Sequence, residues 1–97
     1  MTKLNGALVS GGNVTGFFKI SPDSSRVVYR ADQQTNDVIE LYSVPLVGGS
    51  ETKLNGALVS GGEVFDFQIS PDSSRVVYKA DQQTNEVVEF YSRVLAE

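Results

Sequence analysis

Ser21 to Tyr29 is SPDSSRVVY, and Ser70 to Tyr78 is the same stretch again. Each copy joins a turn to a strand. Proline presets one backbone dihedral, and the aspartate and serine side chains can bond nearby amides. The Arg-Val-Val-Tyr that follows is rich in residues that suit a pleated sheet. The doubling continues outward from this stretch. Thr2 to Gly12 (TKLNGALVSGG) recurs at Thr52 to Gly62, and Ala31 to Asn36 (ADQQTN) recurs at Ala80 to Asn85. The offset is 50 residues in the first of these and 49 in the other two, so one extra residue sits in Thr15-Gly16-Phe17, opposite Phe65-Asp66. Two copies this similar build the same unit, which makes self-comparison the first guide to the fold.

Four short apolar segments make up the unit. In Val64-Phe65-Asp66-Phe67-Gln68-Ile69, alternation predicts a strand with Phe65, Phe67 and Ile69 on one face and Val64, Asp66 and Gln68 on the other. Arg75 to Ala80 is the second strand, reached through the Ser-Pro-Asp turn. The polar stretch Asp81 to Glu86 is a loop, and Val87 to Val94 is the third strand. The fourth is Lys53 to Val59, where Asn55-Gly56 is also a hairpin-turn dipeptide, although its arms are too short for a separate hairpin. Four strands in a unit of this length is the arithmetic of one propeller blade. A β-sandwich of eight strands is the competing all-β architecture, but it does not call for two near-identical halves.

The segment Ile20-Ser21-Pro22-Asp23-Ser24-Ser25-Arg26-Val27-Val28-Tyr29 and its copy resemble the "SPDG" signature of TolB-like, WD-repeat-like β-propeller blades. Glu40 to Gly49 is similar to the third strand and closing Gly-Gly turn of that family. The chain departs from the pattern at Ser24 and Ser73, where the family has glycine, and in carrying two units where closed members carry several. The resemblance implies an all-β propeller assembled from two-bladed chains, four antiparallel strands to a blade. The implied division is residues 1–12 as an outer "Velcro" strand completing a neighbouring chain's blade, 13–62 as the first blade, and 63–97 as a second blade lacking its outer strand. Lys3 to Val9 is then expected to pair with a neighbour's Val87 to Val94. Phe18 and Phe67, on the innermost strands, are expected to be buried between blades. Near-identical copies with complementary ends are also the pattern of an engineered or excised fragment of a longer array.

Composition narrows the chemistry. The chain of 97 residues has no Cys and no His, which removes thiolate chemistry, the commonest general base and the commonest metal ligand. Without histidine there is no ordinary Ser-His-Asp triad. A Ser-Lys pair would need Lys19, which the second copy replaces with Gln68. The glycine cluster from Gly11 to Gly16 is not followed by the Lys-Ser/Thr of a phosphate loop. The net charge of −4, with basic residues scattered singly, argues against nucleic-acid or anionic-membrane partners. No apolar run approaches the roughly 20 residues that cross a bilayer. The expectation is therefore no enzyme, no cofactor and no metal. The chain's partner is itself, in a head-to-tail homo-oligomer: a tetramer with eight blades, or a trimer with six. The alternative is a binding module whose rim loops or central channel take a peptide, glycan or cation. In that case Asp32, Asn36, Asp37, Asp81, Asn85 and Glu86 are the residues that face the ligand.

Overall fold

In the computed structural model, which describes residues 1–95, the chain is all-β, with no helix among those residues. Seven strands form: β1 (Val14–Ile20), β2 (Arg26–Ala31), β3 (Glu40–Pro45), β4 (Thr52–Lys53), β5 (Val64–Ile69), β6 (Arg75–Ala80) and β7 (Glu89–Val94). They make two antiparallel sheets, one of four strands in the order β1-β2-β3-β4 and one of three in the order β5-β6-β7. The last two residues of the unit expected at 63–97 lie outside the described residues.

The second strand of each unit begins where the Ser-Pro-Asp turn ends. In the first copy the Asp23 carboxylate accepts the Ser25 amide (3.0 Å) and the Ser21 and Ser25 hydroxyls (2.7 and 2.6 Å). Ser24 and Ser73 have φ of 63° and 64°, so these serines take the left-handed conformation for which glycine is the unstrained choice. Holding serine in this conformation costs about 1 kcal/mol at each turn.

Three expectations for the strands are corrected. The first strand does not alternate from end to end. Pairing of β5 with β6 shifts register between Val64 and Asp66, and β1 shifts against β2 between Val14 and Phe18. This bulge resets the alternation, so Val64 is buried with Phe67 while Phe65 is exposed. The extra residue of the first copy falls inside the same irregularity. The fourth strand is only Thr52–Lys53, because the chain leaves the sheet at Leu54 to put that side chain between the sheets. Its counterpart, Lys3 to Val9, is not in a strand within the single chain. Val87 and Val88 precede β7, since the turn at Glu86 (φ 68°) is closed by the Val87 amide on Thr84 O (3.0 Å).

The principal core lies between the sheets. Val28 and Leu41 of the first sheet meet Val64, Phe67, Val76, Tyr78 and Ala80 of the second, with Leu54 and Leu95 closing the cluster. Alternation along β2 and β3 sends Val27, Tyr29, Ala31, Tyr42 and Val44 to the opposite face of the first sheet, where Leu4 packs on them. Tyrosines stack across the paired strands in both copies, Tyr29 on Tyr42 and Tyr78 on Tyr91 (5.5 and 5.4 Å between centroids).

Two predictions test this packing. Phe67→Ala lowers unfolding free energy by about 3–5 kcal/mol, measured by denaturant titration. Ser24→Gly raises the melting temperature by relieving the left-handed backbone, by the equivalent of about 1 kcal/mol, and an unchanged or lower melting temperature would contradict the assigned φ.

Candidate assembly interface

The contact between the sheets is a socket and a plug. The socket is the inward face of the second sheet with the connector and tail that border it: Leu54, Val64, Phe67, Val76, Tyr78 and Leu95. The plug is Val28 and Leu41. Polar bonds border it. The Val64 amide donates to Ile39 O (2.9 Å), and the Asp23 amide donates to Ser73 Oγ (3.0 Å). Arg30 donates to Val64 O (3.0 Å) and also to Phe65 O. The same guanidinium lies 5.3 Å from the Phe17 ring centroid, and Phe17 meets Phe67 edge to face at 6.2 Å. Leu54 is fixed from both sides, its amide on Leu41 O (2.8 Å) and its carbonyl on Arg93 (2.7 Å).

The first copy carries the same socket without a plug. Leu4, Val14, Phe18, Val27, Tyr29 and Leu46 are the counterparts of the six socket residues, and they line an open hollow of about 250 Å³. Phe67 is 2% exposed whereas Phe18 is 59% exposed, so the expected burial holds for Phe67 and not for Phe18 in a single chain. In the second copy the residues at the plug positions enter no socket among the described residues. Val77 and Phe90 are the counterparts of Val28 and Leu41; Leu41 is fully buried and Phe90 is 74% exposed. The two open surfaces lie on the outer faces of the two sheets.

The rim loops are engaged with their own backbone. Asp32 accepts the Asn13 amide at Oδ1 (2.7 Å) and the Asp37 amide at Oδ2 (3.0 Å). Asp81 does the same for Glu63 and Glu86 (2.8 and 3.1 Å). These backbone donors hold both carboxyls below the ordinary range, with the Asn13 and Glu63 amides contributing most. Asp37 and Glu86 occupy left-handed turns (φ 67° and 68°). Asn36 and Asn85 lie against Gly11 and Gly61, where a β-carbon would stand 2.8 and 2.9 Å from the respective Oδ1. The loops thus bring the six rim residues into two separate staples, one per copy. Among the described residues no group of three or more Asp or Glu side chains is arranged to hold a metal ion. Sequence reasoning missed Phe17 and Arg30 as joint residues. The signal was weak, since Phe17 lies in the unpaired insertion and Arg30 becomes Lys79 in the other copy.

No protein-family model, curated protein or solved structure matches the chain.

The serine-aspartate turns carry a pH prediction. Asp23 and Asp72 are lowered to about 2, chiefly by the Ser25 and Ser74 hydroxyls and then by Ser21 and Ser70. A carboxyl depressed on folding adds stability above its unfolded value near 3.8, and that contribution is lost as pH falls towards 2. Thermal melts followed by circular dichroism should therefore give a midpoint unaffected by these groups between pH 7 and 5 and a fall between about pH 4 and 2. Replacing both aspartates with asparagine makes that acid limb shallower.

Proposed function

We propose that this protein is a self-assembling structural repeat whose copies join head to tail into a closed β-propeller, with no catalytic role. One observation carries the reading. The chain contains one filled socket, one empty socket built from the corresponding residues, and one exposed plug built at the positions that fill the first. Phe90 and Val77 of one copy entering the hollow of the next would repeat the internal joint.

Several further features support it. An open apolar hollow and an exposed Phe90 both leave carbon in water, and covering them is favoured by the same effect that closes the internal joint. The two surfaces differ, so the contact is heterologous, and a heterologous contact closes into a ring when its rotation allows. The first sheet has the four sequential strands of a propeller blade and the second has the first three of them, in line with the resemblance in the Ser-Pro-Asp turns. Four chains giving eight blades is the assembly we propose.

Native mass spectrometry and analytical ultracentrifugation test this directly. The expected species is a single assembly of four chains, and Phe90→Asp should convert it to monomer by placing a charge where the socket is apolar. A wild-type chain that is folded and monodisperse as a monomer at micromolar concentration would overturn the reading.

A further inference from the structure

The internal joint has a polar fastening beside its apolar plug. Asn55, only 4% exposed, accepts the Leu41 amide at Oδ1 (2.8 Å) and donates from Nδ2 to Glu40 Oε2 (3.2 Å) and to its neighbour Gly56 O (2.9 Å). Lys53 Nζ lies 3.2 Å from the same Glu40 oxygen. Glu40 is held from its other side by the Tyr42 hydroxyl (3.4 Å). The fastening joins the connector to β3, and it fixes which residue of the connector lies opposite which residue of the strand. Lys53 pairs with Tyr42, and Thr52 with Ser43.

Both halves of a second fastening are present and set apart. Asn5 is the counterpart of Asn55 and already donates from Nδ2 to Gly6 O at 2.9 Å, the same local bond at the same length. Glu89 is the counterpart of Glu40 and already receives the Tyr91 hydroxyl at 3.3 Å. What is missing among the described residues is the set of bonds between the halves: Phe90 amide to Asn5, Asn5 to Glu89, and Lys3 to Glu89. Each half therefore keeps one local bond of the completed fastening, and the free edge of β7 lies beside Glu89.

We propose that the occupant of this half-site is a second copy of the chain, whose Lys3 and Asn5 latch onto Glu89 and the Phe90 backbone of β7. Thr2 and Lys3 of that copy then add to β7 opposite Ser92 and Tyr91. The latch rests on the head-to-tail reading and adds to it a register and a charge code. Apolar plugs tolerate sliding, whereas the Asn5 amide satisfies one backbone donor and one carboxylate together only in a single register. Lys3 and Glu89 belong to different copies across every seam, so a change of sign at either one acts at every seam of the assembly.

Charge reversal tests the latch. In K3E, glutamate faces Glu89 at each seam; in E89K, lysine faces Lys3. Each variant should need at least about tenfold more protein to reach half assembly, because opposed like charges across an interface cost more than the 1.4 kcal/mol that corresponds to that factor. The double variant K3E/E89K has the wild-type net charge and restored opposite pairs, and it should assemble at the wild-type concentration. An equimolar mixture of the two single variants should likewise recover assembly, since each seam between unlike chains pairs lysine with glutamate. Single variants that assemble as the wild type does, or a double variant that is no better than the singles, would overturn the latch while leaving head-to-tail assembly standing. A wild-type chain that stays monomeric would instead remove the reading on which the latch rests.

Discussion

The constraint on which the structure depends is that apolar sheet faces gain free energy when another surface covers them. Alternation along β2 and β3 gives the first sheet two such faces, Val28 and Leu41 on one side and Val27, Tyr29, Tyr42 and Val44 on the other. A helix-bearing fold would cover the second face with another kind of element. Here, among the described residues, the second sheet covers the first of these faces and Leu4 packs on the other. Leu54 is central to this arrangement, because it takes the chain out of the first sheet and closes the socket of the second.

That constraint also accounts for the way the polar groups are used. The serine-aspartate turns, the Asp32 and Asp81 staples and the Asn55 fastening all satisfy backbone donors where strands begin, end or change sheets. Short connections between tightly packed sheets leave those donors without ladder partners, and side-chain oxygens replace the missing acceptors. Of the carboxylates that look like ligands in the sequence, those of Asp32 and Asp81 hold loops, whereas Asp37 and Glu86 contribute their backbone amides.

Much of the fold was legible because the signals were local. The β2 and β6 strands have the expected limits, since a proline-containing turn begins them and an Asp-Gln-Gln loop ends them. The first strand was misphased because a bulge leaves no mark on composition: Val64-Phe65-Asp66-Phe67 alternates on paper, and only pairing with β6 shows that Val64 and Phe67 share a face. The fourth strand was drawn too long because Leu54-Asn55 has strand-like neighbours, whereas its conformation is set by contacts with the other sheet. The candidate interface was half legible. The apolar residues were evident as sheet faces, but which face was filled and which was open depends on the strand order. The polar fastening was hidden altogether, since Asn55 sits within a dipeptide that suggests a turn.

The register shift in the first strand has a bearing on how such a repeat changes length. A bulge is a point at which one strand already runs ahead of its partner, so a residue gained or lost there is not passed on along the ladder. The first copy has one residue more than the second at this point, yet Val14 and Phe18 keep the socket positions of Val64 and Phe67. Elsewhere in the strand a single insertion would invert every side chain beyond it. The bulge thus acts as an expansion gap, a place where tandem copies drift apart in length while their packing surfaces remain interchangeable.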